Sequence, residues 1–223
     1  MSISTKNIPT GGTSVPKTLQ PGNVVAKIND ITLEAFTFKE GAYHLILNLE
    51  GTDRGAEFEG FYINKDRPEL GRYKGQVGKV KASEWAYADG ETKSGIKISR
   101  DTEILKFIAG LCKDLGSSWL SDADGKYNTI EEFVKGFNND KPFKDVWFNF
   151  CLAGKEYQNK EGYTNYDMFL PKYVKGSVPF EVCDKTPSKI MKFNETEHIK
   201  KKKVESVVGF NSDSSAAATD FEL

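Results

Sequence analysis

Between Tyr43 and Glu50 the side chains alternate. Tyr43, Leu45, Leu47 and Leu49 fall on one face of an extended chain, and His44, Ile46, Asn48 and Glu50 on the other. A period of two predicts a half-buried β-strand. Upstream, the β-branched and aromatic run over residues 24–38 predicts a longer strand, with a bend or bulge at Asn29-Asp30. Gly41 turns the first strand into the second, and Gly51-Thr52-Asp53 turns the second into a third expected over residues 57–63. Residues 64–100 then form a polar excursion with room for a hairpin of its own around residues 76–81.

The period next becomes helical. Ile104, Leu105, Phe107, Ile108, Leu111, Cys112 and Leu115 follow Ser99, Asp101 and Thr102, each able to cap, and Gly116 closes the helix. Thr129-Ile130-Glu131-Glu132 has the reciprocal capping pattern that opens a second helix. Beyond it Val146, Phe148, Phe150 and Leu152 alternate with Trp147, Asn149, Cys151 and Ala153, and Asn159-Lys160-Glu161-Gly162 turns this strand into a last one over residues 163–170. Three strands, a helical insertion and two strands is the order of the oligonucleotide-binding (OB) fold, a five-stranded Greek-key barrel. The expected class is therefore mainly β with inserted helices (α+β): an OB-like barrel over residues 21–199 with a long basic excursion after strand three. Residues 1–20, rich in Ser, Thr, Gly and Pro, read as a flexible N-terminal arm. Residues 200–223 hold a basic run, a low-complexity linker and an acidic tail.

Composition removes several functional classes. A chain of 223 residues suits one domain with extensions or two small ones. It contains no apolar run of membrane-spanning length, and residues 1–7 lack the apolar core of a secretion signal, so neither is expected. Cys112, Cys151 and Cys183 are odd in number and widely spaced, which fits reduced intracellular thiols. With no C-x-x-C and only His44 and His198, a zinc site is not expected. The phosphate-binding loop, the serine-hydrolase elbow and the zinc-protease helix are all missing from the sequence. Asp122-Ala123-Asp124-Gly125-Lys126 fails the register of a calcium loop, because Phe133 stands where the bidentate Glu belongs, and reads as an exposed turn between helices. No catalytic residue, metal or cofactor is expected.

Charge is segregated more than abundant. The chain has 31 Lys+Arg against 32 Asp+Glu, yet after Lys203 only acids occur: Glu205, Asp213, Asp220 and Glu222. In the excursion, Arg67, Arg72, Lys74, Lys79 and Lys81 are interleaved with Tyr73, Trp85 and Tyr87. Single-stranded nucleic acid asks for that mixture, cations for its phosphates and flat rings for its unstacked bases. A solvated loop whose aromatics cover the core would carry the same residues. The last hairpin holds Tyr157 and Tyr163 where OB folds clamp their ligands. Trp147, Phe36 and Phe38 point away from the core positions of their strands, either as stacking platforms or packed beneath neighbouring segments. Tyr163 and Tyr166 fall on opposite faces, so at most one of them joins a platform.

An OB-like strand order, a basic and aromatic loop, and a linker ending in Asp220-Phe221-Glu222-Leu223 together resemble the single-stranded DNA-binding proteins encoded by bacteriophages. The resemblance covers residues 20–175 by architecture and 200–223 by tail design. It implies sequence-independent protection of single-stranded DNA in replication, recombination and repair, in the host-cell cytoplasm and away from any membrane. It also implies that Asp220, Phe221, Glu222 and Leu223 recruit replication or recombination proteins. The tail departs from the family in being weakly acidic and ending in Leu where Phe is frequent. The competing readings are an OB-like interaction or structural module without nucleic-acid binding, which the near-neutral charge favours, and a metal-dependent nuclease or annealing factor.

Overall fold

Val24, Ala26 and Ile28 point into the core from the first strand, and so do Ile31 and Leu33. The step from 28 to 31 breaks the period of two, so one extra residue has to be absorbed there. In the computed structural model of the chain, which describes residues 18–51 and 75–201, that residue is Asn29. Strand β1 (Gly22–Ala35) pairs antiparallel with β2 (Tyr43–Gly51), Ile28 facing Leu49 and Asp30 facing Asn48, with the register shift between them. Bent at this bulge, β1 serves two partners: its second half follows β2, and residues 22–27 pair with β6 (Trp147–Gln158).

The remaining strands close the circuit. β2 pairs antiparallel with β3 (Val77–Lys81), which runs parallel to β7 (Thr164–Phe169). β7 is antiparallel to β6, and β6 returns to β1. The result is a closed five-stranded mixed barrel with helices inserted between β3 and β6, an OB-like α+β fold. A two-stranded ribbon, β4 (Gly90–Glu91) with β5 (Lys97–Ile98), stands outside it. The third strand expected over residues 57–63 lies outside the described residues. The barrel's third strand is instead the segment around which a local hairpin was expected. Val80 is its one fully buried apolar side chain, too little for a periodicity to register. Gly78 makes the close packing of β3 possible, since a Cβ there would come within 2.9 Å of Met168 Cε and 3.0 Å of Leu19 Cβ. Leu19, placed by its sequence context in the N-terminal arm, is a core residue, and its N–H donates to the Val77 carbonyl at 3.0 Å.

The helices begin and end where their caps dictate. α1 (Arg100–Leu115) starts at Ser99, whose hydroxyl accepts from the Thr102 N–H, and stops at left-handed Gly116. α2 (Trp119–Asp122) is a single turn that the sequence did not announce. α3 (Ile130–Asp140) opens on the expected Thr129 cap, which accepts from the Glu132 N–H at 3.2 Å, while the Glu132 carboxylate reaches one residue further back and accepts from the Asn128 N–H at 3.1 Å. Ile104, Ile108 and Leu111 of α1 and Val134 and Phe137 of α3 join the barrel interior.

α3 also repairs the backbone of β1. β6 accompanies β1 only as far as Lys27, so beyond the bulge that edge has no strand partner among the described residues. Asn138 Oδ1 accepts from the buried Ile31 N–H at 2.8 Å, and Lys141 Nζ donates to the Asn29 carbonyl at 2.7 Å.

Past the barrel the chain returns over β6. β8 (Phe180–Val182) and β9 (Ile199–Lys200) extend the sheet on its two edges, with one-turn helix α4 (Glu195–His198) between them. Buried Asn23 anchors this return, donating to the Met191 carbonyl and accepting from the Phe193 N–H, both at 2.8 Å. The three cysteines are buried and unlinked, and burial pushes the Cys151 thiol up to about 12. Among the described residues no helix is long and apolar enough to cross a membrane.

Replacing Asn138 by Ala leaves the buried Ile31 N–H without an acceptor, a loss of about 1–3 kcal/mol. Thermal unfolding is expected to fall by roughly 2–12 °C. Asn138→Asp, which keeps the acceptor oxygen, is expected to recover most of it. Equal losses in both variants would remove the bulge clamp from the account.

Candidate nucleic-acid interface

With one side of each strand committed to the core, the other side of β1, β2, β3 and β7 forms an outer face, on which Ile46 and Phe169 are buried. Glu34 on β1 lies opposite His44, Asn48 opposite Lys79, and Ile46 opposite Lys81. Lys79 forms an ion pair with Glu34, and Lys81 one with Asp167 of β7 at 2.6 Å. His44 sits among these charges. Burial first, and the Lys81 ammonium second, hold its imidazole below the ordinary 6.5. Its Nδ1 is buried with no hydrogen-bond partner among the described residues.

Where this face meets the β6–β7 hairpin there is an open cleft of about 400 Å³. Lys79, Asn48 and Asp30 line one wall and Tyr157, Asn165 and Tyr166 the other, with Gly78 between them. The bulge shapes the first wall, where Asn48 donates to Asp30 and Asn29 to Glu50. The hairpin shapes the second: Asn159 Oδ1 accepts from the Glu161 and Tyr163 N–H groups, and Gly162 takes a positive φ of 84°. Tyr157 is 45% exposed, and Tyr163, at the tip, 68%.

The face continues on the far side of β3. Lys81 is registered with Phe169, and Lys200 Nζ lies 5.8 Å from the Phe169 ring centroid. Lys200 is ion-paired with Glu84, and the neighbouring Trp85 is 74% exposed. Exposed Lys155 is registered with Asp167 on one side and Lys200 on the other. The first lysine of the basic run thus belongs to the same surface.

Of the residues singled out by sequence, the fold brings Lys79 and Tyr157 together in the cleft, sets Lys81 two residues along β3, and leaves Tyr163 and Trp85 exposed nearby. Two others have different surroundings. Tyr87 is half-buried against the core, bridges to Tyr43, and has its phenol pKa raised by burial. Trp147 is half-buried against Val25, Cys183 and Ile190 beneath the returning chain, with Lys27 Nζ 5.9 Å from its ring. Phe36 packs edge-on to His44, whereas Phe38 is 89% exposed. Arg67, Arg72, Tyr73 and Lys74 lie outside the described residues, as do Lys202, Lys203 and the tail residues Asp220, Phe221, Glu222 and Leu223. Sequence reasoning missed Asn48, Asn165, Glu34 and Asp167. The complementary, outward half of each period-two strand was the signal that could have found them.

Among the described residues no cluster of three or more His, Cys, Asp or Glu is arranged to hold a metal ion. Comparison of the chain with protein-family models, with curated proteins and with solved structures finds no match.

Burial lowers the pKa of both histidines, and His198 accepts the Asn194 N–H at Nδ1 (2.8 Å). A lowered folded-state pKa means the unfolded chain takes up protons first as pH falls through 6.5, and the stability from the neutral imidazoles is lost on the way to the folded values. Thermal scans from about pH 7.5 to about pH 5.5 are therefore expected to show falling stability. The decline should be flatter in His44→Gln/His198→Gln; identical slopes would contradict the assignment.

Proposed function

We propose that the protein binds single-stranded DNA without sequence preference and protects it during replication, recombination and repair. The observation that carries this reading is the convergence of Lys79 and Tyr157, from segments far apart in sequence, on one cleft between the β2–β3 face and the β6–β7 hairpin. OB folds use these elements to hold oligonucleotides. The cleft volume of about 400 Å³ falls in the range of pockets that hold small organic ligands, about 300–1,000 Å³. In this reading Lys79, Lys81, Lys155 and Lys200 meet phosphates, while Tyr157, with Tyr166 or Tyr163, stacks bases. Rings accept any base, which makes the binding sequence-tolerant. Arg67, Arg72, Tyr73, Lys74 and Trp85 extend the same chemistry. Asp220, Phe221, Glu222 and Leu223 recruit replication or recombination proteins, and the setting that fits is the cytoplasm of a host cell carrying a phage genome.

A second reading, a protein-binding OB module, draws on the exposed apolar side chains of Phe38 (89%) and Ile96 (65%) and on the ion pairing of the outer-face lysines. Titration with oligo-dT and with duplex DNA separates the two. The proposed function requires preferential binding of the single strand, with affinity falling steeply as salt rises. Tyr157→Ala is expected to weaken binding by about 5- to 150-fold, the equivalent of one lost stacking contact of about 1–3 kcal/mol. Lys79→Ala/Lys81→Ala should flatten the salt slope, by up to about 1.4. Failure to bind oligo-dT at low salt would overturn the proposal.

A further inference from the structure

We propose that the carboxylates of Glu34 and Asp167 are built-in competitors of phosphate that set the affinity and salt dependence of single-strand binding, an inference that rests on the single-strand reading above. Both described lysines of β3 are engaged in this way, from opposite sides. Lys79 takes a carboxylate from β1, two strands away, and Lys81 takes one from adjacent β7. The Lys200–Glu84 pair repeats the arrangement at the end of the face. None of these contacts is sealed in the core. The side chains of Glu34 and Asp167 are 47% and 46% exposed, so a phosphate can take the place of either without opening the barrel.

The exchange has a thermodynamic signature. A lysine that meets a phosphate releases a cation condensed on the nucleic acid, and this gives single-strand binding its salt dependence. Where the lysine first has to leave a carboxylate, the freed carboxylate gathers a cation from solution. That uptake offsets part of the release. The carboxylate also remains beside the bound phosphate, and the two repel. A face of paired lysines therefore binds more weakly, and with a shallower salt slope, than its count of lysines implies. For a protein that coats single strands and has to yield them to the next enzyme, such attenuation keeps the complex reversible.

The test compares two variants of the full chain with equal changes in net charge. Glu34→Gln/Asp167→Asn frees Lys79 and Lys81. Asp114→Asn/Asp124→Asn frees Lys185, which pairs with Asp114 away from this face, and removes an exposed turn carboxylate. Circular dichroism and melting temperature confirm that both are folded. The face variant is expected to bind oligo-dT on the order of tenfold more tightly at moderate salt, one exposed and one part-buried pair being removed from competition. Its plot of log affinity against log salt should steepen by up to about 1.4. The remote variant should change little. Equal shifts in the two variants would mean a general charge effect and overturn the inference, as would unchanged binding by the face variant. If neither wild type nor variant binds oligo-dT at low salt, the single-strand reading itself is what fails.

Discussion

An extra residue at Asn29 bends β1, and the edge it exposes is held by Asn138 of α3 and by Lys141 just past its end. Much of the architecture depends on that clamp. β1 pairs with β2 on one edge and β6 on the other, and residues 26 and 27 pair with both; the bend at the bulge adds the curvature that a closed sheet needs. The bend lets one strand turn the corner between them, and the helical insertion supplies the hydrogen bonds the corner would otherwise lack. The same bend places Asn29 and Asp30 beside Glu50 and Asn48, so the constraint that closes the barrel also builds one wall of the cleft.

The outer face follows from what the core has already claimed. Leu45, Leu47 and Leu49 point inward, which leaves His44, Asn48 and a still-buried Ile46 on the other side of β2, and with Val80 inside, Lys79 and Lys81 share that side. Charges on neighbouring strands are then close enough to pair across the sheet. That pairing explains how a chain with nearly balanced charge can present a row of lysines without a strong positive field. Under the proposed function, the OB-like barrel would set where a single strand lies and the ion pairs would set how firmly it is held.

Much of the barrel was legible from alternation alone. β2, β6 and β7, the bulge of β1, and the caps of α1 and α3 all follow from side-chain period and capping chemistry. β3 was not legible as a barrel strand, because Gly78 and Val80 are its only inward positions and its lysines resemble a loop. Leu19 stood alone among polar neighbours, with nothing to mark it as core. β8, α4 and β9 are too short to produce a period. The cleft was legible only in halves, since Lys79 and Tyr157 are joined by topology and not by spacing. The ion pairs 34–79 and 81–167 are long-range and leave no local trace. For Tyr87 and Trp147, composition identified aromatic rings, but only the fold distinguishes half-buried packing from open display.

Ultraviolet crosslinking of a bromodeoxyuridine-containing single strand to the full chain, followed by peptide mapping, tests the central claim most directly. The account predicts crosslinks at Tyr157 and Tyr166 and within residues 77–85. Crosslinks confined to the helical insertion over residues 100–140, with the cleft peptides unmodified, would contradict it.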